Sequence, residues 1–157
     1  MKKSLLIDLD IITVGIWDRR GTNTDIANKF IERIKKKEFF VVTPFYLLET
    51  VLKWRYDELK NDIKEFYLMY SDKLLNDTDI REHILKEKID PNVILLKFKR
   101  IGIKDEDGLL IFVASIFKLD YLVTFNRKHL RNRKTEINTI LKECGLNEID
   151  IIGPDEI

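Results

Sequence analysis

Short apolar runs recur along this chain, each stopped by a polar residue, a glycine or a proline and separated by stretches of helical periodicity. The clearest are Ser4–Ile7, Phe39–Thr43, Tyr121–Thr124 and Ile149–Ile152. A run apolar on both faces suits a buried parallel strand, because helices cover both sides of such a sheet. The stretches between the runs supply those helices. Ile26, Phe30, Ile31 and Ile34 share a helical face, with Asn23 or Thr24 as the cap, and predict a helix to about Lys37. Pro44 is placed as the first residue of a helix that turns Leu47, Leu48, Val51, Leu52 and Trp54 inward. Tyr56 to Asp90 reads as one or two added helices covering one side. Pro91 starts another, ending near Gly102. Asp105 is placed as the cap of Glu106–Lys118, whose centre is apolar nearly all round and therefore buried. Lys134–Glu143 is helical and closes at Gly145. Alternating strands and helices predict an α/β fold of three layers, α/β/α, with a short, mostly parallel sheet of four to five strands.

With 157 residues the chain suits one domain spanning 1–157, with a helical elaboration at about 56–90. A hydrophobic share of 45% beside 35% charged residues excludes a disordered chain. The net charge of +1 excludes a strongly basic nucleic-acid binder, so any such contact must come from a local patch. Cys144 is the single cysteine. It rules out a disulfide within the chain, fits a reducing compartment, and reads as a small helix residue near the surface. No signal peptide is visible and no apolar stretch is long enough to cross a bilayer. The expectation is a cytoplasmic protein with no membrane partner.

In parallel α/β sheets, ligands bind beyond the carboxyl ends of the strands. Asp8 ends the first strand and Asp10 follows it. Asp105 and Asp107 open the buried helix, Glu49 lies in the helix after Thr43-Pro44, and Asn126 follows the YLVT strand. This topology brings five carboxylates and one amide to one edge. Crowded carboxylates raise each other's pKa, and a hard divalent cation with oxygen ligands relieves that repulsion. Other roles stay open for several of them. Asp10 suits a cap for the segment after the strand, and Asp105 suits a helix cap. Asp107 lies where a helix dipole favours an acid, and Asn126 is an ordinary turn residue.

The segments SLLIDLDII, TPFYLLETVLKW, DEDGLLIFVASIFKLDYLVTFNRKHL and IIGPDEI together resemble the PIN domains, the nuclease fold of VapC-type toxins and related ribonucleases. The third segment is the most specific. The resemblance implies that Asp8, Glu49 and Asp107 hold Mg2+ or Mn2+. It places Asn126 at the fourth catalytic position, where the family often has aspartate, and leaves Asp105 as a nearby compensating acid. It also implies an RNA substrate cleaved to 5′-phosphate and 3′-hydroxyl products. An antitoxin protein and a homodimer are the protein partners it suggests. The span at about 56–90 is longer than in the compact toxins.

Substrate phosphates need cations near the acids. Arg127, Lys128, Arg131 and Arg133 follow Asn126 directly and read as an RNA-facing rim, although a solvated charged face is the competing reading. His129 reads as a packing or capping residue and His83 as a surface residue. Two other functions compete. One is a PIN-like RNA-binding or assembly module with weak or no catalysis. The other is a phosphoacceptor signalling domain, which also puts acids at strand ends, but the YLVT strand here leads to Phe125-Asn126 and not to a lysine.

Overall fold

β1 (Ser4–Ile7) lies at the centre of the sheet, flanked by β2 (Phe40–Pro44) and β4 (Tyr121–Val123); β3 (Lys73–Leu75) and β5 (Asp150–Ile152) form the edges. The computed structural model of the chain describes residues 1–17 and 21–157. Among these residues the strand order is β3-β2-β1-β4-β5, and every neighbouring pair is parallel. The register sets Leu5 against Val41 on one side and against Tyr121 on the other. Leu5, Leu6 and Ile7 are all buried, as a central strand covered on both faces requires.

Helices form the outer layers. α1 (Leu9–Trp17), α2 (Thr22–Lys35), α3 (Phe45–Leu52) and α4 (Asp57–Tyr70) cover one face. Their Ile11, Ile12, Phe30, Ile34, Val51, Ile63 and Tyr67 pack with Leu5, Ile7 and Val123. α5 (Asp77–Glu87), α6 (Pro91–Arg100), α7 (Asp105–Ile116) and α8 (Lys134–Glu143) cover the other. There Phe98, Ile111, Phe112, Ile137 and Leu141 pack with Leu6, Leu122 and Ile151. The structure is therefore a three-layer α/β/α fold with an all-parallel sheet. No helix among the described residues is long and apolar enough to cross a membrane.

Local differences from the sequence reading have physical causes. Pro44 ends β2 in an extended conformation and caps α3, so the helix begins at Phe45. Residues 56–90 are more than a helical addition, because β3 lies between α4 and α5 and pairs with β2. The chain turns into β3 through Asp72. Its carboxylate accepts the Val41 N–H at 2.7 Å, and its own N–H donates to the Val41 carbonyl at 2.8 Å. α4 also supports the central strand, since buried Tyr67 donates its hydroxyl to the Ile7 carbonyl at 3.0 Å. Such a bond contributes about 1 kcal/mol net and costs more to leave unmade.

Candidate functional site at the carboxyl edge of the sheet

An open parallel sheet binds ligands where the strand order reverses, beyond the carboxyl ends of the strands. Here the reversal falls between β1, which leads on toward β2, and β4 on its other side. Asp8 is the first residue past β1, and its N–H donates to the Val123 carbonyl at 2.9 Å. Thr124 is the first residue past β4, and its N–H donates to the Ile152 carbonyl at 2.9 Å. Strand pairing thus sets Asp8 beside Thr124 across 116 residues of chain.

Thr124 is fully buried. Its hydroxyl lies 2.8 Å from Asp8 Oδ2 and 3.2 Å from Asp10 Oδ2. It has a single proton, so it cannot donate fully to both carboxylates at once. Its oxygen accepts the Asn126 N–H at 3.0 Å, and the Phe125 N–H donates to Asp10 Oδ2 at 3.1 Å. Asp10 Oδ1 is buried and has no hydrogen-bond partner among the described residues. Burial raises the Asp8 pKa, opposed by the Thr124 bond and reinforced by the charge of Asp107. Burial and then the charge of Asp8 push Asp10 up to about 7. Asp107 is also raised, chiefly by burial, with His129 opposing. Desolvation and like charge thus both disfavour the ionised forms of these acids.

Asp107 lies in the first turn of α7. Gly108 lets that turn pack closely on α6, where a Cβ would meet Leu95 Cδ2 at 3.1 Å and Phe98 Cδ2 at 3.3 Å. Asp105 does not cap α7. Lys104 occupies the capping position, no side chain caps the helix, and Asp105 is an exposed partner of Lys99 at 3.0 Å. Glu49 is exposed on α3, and no hydrogen bond or ion pair among the described residues ties it to Asp8, Asp10 or Asp107. It follows Tyr46 by three residues and so shares its side of the helix. Asn126 uses its side-chain oxygen to accept the His129 N–H at 3.0 Å, which holds the turn after β4.

The basic segment divides in two. Arg127 and Lys128 are exposed and make no ion pair among the described residues. Arg131 pairs with Glu156 near the carboxyl terminus. Arg133 donates to the Ile101 carbonyl and pairs with Glu136 at 3.6 Å. His83 packs on Phe117, with ring centroids 4.6 Å apart.

Two residues beside these acids, Thr124 and Tyr46, are not among the sequence candidates, and Asp10, for which a cap was the competing role, bonds instead to the residues after β4. Asp10 sits inside the first turn of α1 and reaches across to the residues after β4. Tyr46 has a buried hydroxyl without a partner among the described residues, and the charges of Asp8 and Asp107 both act on it. Asp10 follows Asp8 by two residues and is a candidate at this edge from sequence, whereas nothing local marks Tyr46 apart from the other apolar residues of its helix.

A hard divalent cation suits these donors in kind. They are carboxylate oxygens whose charged forms are penalised, and one of them is buried and unpaired. Among the described residues no group of three or more His, Cys, Asp or Glu side chains is placed to hold an ion. These residues do not make a closed protein cage, and leave one or two carboxylates with which a cation could be held. Models of known protein families, curated proteins and solved structures contain no match to this chain.

Proposed function

We propose that the chain is a PIN-like, divalent-metal-dependent ribonuclease. The observation that carries this reading is the position of Asp8 at the point where the strand order reverses, with its pKa raised by burial and by the charge of Asp107, whose own pKa is raised at the start of α7. In this reading Asp8 and Asp107 hold Mg2+ or Mn2+. When bound, the cation activates water and neutralises charge on the phosphoryl oxygens. Thr124 orients Asp8 and limits its rotation. Asn126 fixes the turn that presents Arg127 and Lys128 to the RNA backbone. Glu49, exposed on Tyr46's side of α3, acts at the mouth of the site. The narrower form of the proposal is a toxin inhibited by an antitoxin protein, acting in the cytoplasm and able to form a homodimer.

The test is cleavage of a labelled RNA with Mg2+ or Mn2+ against an EDTA control. Asp8→Asn and Asp107→Asn should lose more activity than Glu49→Gln. Equal activity in all three variants and the wild type would remove the site from the mechanism. The absence of a group of three or more His, Cys, Asp or Glu side chains placed to hold an ion among the described residues favours a second reading, a PIN-like RNA-binding or assembly module without cleavage. Under that reading RNA binds but stays intact in every metal tested.

Neutralising Arg127 and Lys128 together should weaken RNA binding and reduce the slope of log affinity against log salt by about 2, since each phosphate contact releases counterions. Arg131→Gln should change the slope little, because its guanidinium is already paired with Glu156. A filter-binding series across salt concentrations measures both. An unaltered slope in the Arg127/Lys128 double variant would place the RNA elsewhere.

A further inference from the structure

Tyr46 sits in the first turn of α3, immediately beyond the carboxyl end of β2. Its ring packs against the core built by α5 to α8, which is the side from which α7 brings Asp107. Its hydroxyl oxygen is buried, and no described residue bonds to it. Tyr67 makes a useful contrast. It approaches the end of β1 from the opposite face, feels Asp8 and Asp10, and donates its hydroxyl to Ile7 at 3.0 Å. Of the two phenols flanking Asp8, one is therefore consumed by the backbone and the other is not.

Asp10 Oδ1 and Tyr46 Oη are the only buried side-chain polar atoms without a partner among the described residues, and the charge of Asp8 acts on both groups. A buried hydroxyl left unpaired costs about 1–3 kcal/mol. Such a cost is met where a ligand, an ion or an ordered water supplies the missing partner. A phenol is protonated at neutral pH, so this one is a donor. A second anionic group lodged beside Asp8 and Asp107 would be repelled unless it arrived with a cation, and a phosphate bound through a divalent ion meets that condition.

We propose that Tyr46 is a substrate-contacting residue, whose hydroxyl donates a hydrogen bond to a non-bridging oxygen of the phosphate seated between Asp8 and Asp107. This rests on the metal-dependent phosphodiester reading and adds to it the group that orients the phosphate. The phenol makes no bond to the cation and transfers no proton. It fixes which phosphate oxygen faces the sheet, and it recognises phosphate whatever the base, which suits a backbone contact.

The experiment compares wild type with Tyr46→Phe in three measurements. Calorimetry with Mn2+ alone should give affinities within about twofold, because the phenol is not a ligand. Phosphorus NMR titration of uridine 5′-monophosphate with Mg2+ present should show about tenfold weaker binding in Tyr46→Phe, the effect of one lost hydrogen bond. Thermal melting without metal should leave Tyr46→Phe at least as stable as wild type, since the change removes an unpaired buried hydroxyl. Equal nucleotide binding in the two proteins would overturn the role of Tyr46 while leaving the metal site standing. A lower melting temperature for Tyr46→Phe would show a structural partner and overturn it too. Wild-type protein that binds neither Mn2+ nor the nucleotide would overturn the metal-dependent reading and the Tyr46 proposal with it.

Discussion

Asp8→Asn should lower RNA cleavage by at least about a hundredfold, the scale on which even an outer partner of a metal ligand is felt. The variant should nevertheless fold. Asp8 is buried enough that its charge is penalised, with Asp107 adding repulsion. An amide of the same shape removes that penalty and still accepts the Thr124 hydroxyl, which lies 2.8 Å from Asp8 Oδ2. Activity falls while stability holds or rises, a pairing that a purely structural acid would not produce. Steady-state cleavage and a thermal melt of the same preparation measure the two halves. A variant that keeps its activity would exclude Asp8 from the chemistry. One that melts well below wild type in EDTA would make its charge a structural asset.

The metal-free protein should become more stable as the solution is acidified from about pH 8 to about pH 5, by roughly 2–3 kcal/mol. Asp10 supplies the effect, with a folded pKa of about 7 against an ordinary value of 3.8. Above about pH 7 both states are ionised, and the fold bears the full cost of a buried charge. As pH falls through 7 the native state takes up a proton while the unfolded chain does not. Stability therefore rises until the unfolded carboxyl also protonates near 3.8. The direction is opposite to that of a salt-bridged acid, whose contribution is lost on acidification. Asp10→Asn should be more stable than wild type at pH 8 and should flatten the slope. Urea melts of both proteins across that range, in EDTA, measure it. A wild-type slope that Asp10→Asn leaves intact would mean that other carboxylates control acid stability.

The parts of the fold that could be read from the residues are those where both faces of an element are buried. Ser4–Ile7, Phe40–Pro44 and Tyr121–Val123 have buried residues on both sides of the strand, so their apolar runs stand out. β3 does not stand out. Lys73 and Leu74 are exposed, and only Leu75 of this three-residue edge strand is buried. α1 follows Asp8 at once, with no intervening turn to announce a helix.

The site divides in the same way. The places of Asp8 and Asp107 in the fold were legible because each sits at the end or start of an element whose direction the sequence pattern reveals. The bonds from Asp10 to Thr124 and Phe125 join residues 114 and 115 positions apart, and only the adjacency of β1 and β4 creates them. Asp105 was a reasonable cap by residue type, yet its carboxylate turns outward to Lys99. Arg131 and Arg133 looked like a continuation of the Arg127-Lys128 pair, until the carboxyl-terminal segment and the Ile101 carbonyl claimed them.

The central claim is that Asp8 and Asp107 form a divalent-cation site at the reversal of strand order. Calorimetric titration of metal-free wild type, Asp8→Asn and Asp107→Asn with Mn2+ tests it most directly. Binding should saturate near one ion per wild-type chain and be at least about tenfold weaker in each variant, a difference of roughly 1.4 kcal/mol or more. Wild type that binds no Mn2+, or variants that bind it as tightly as wild type, would contradict it.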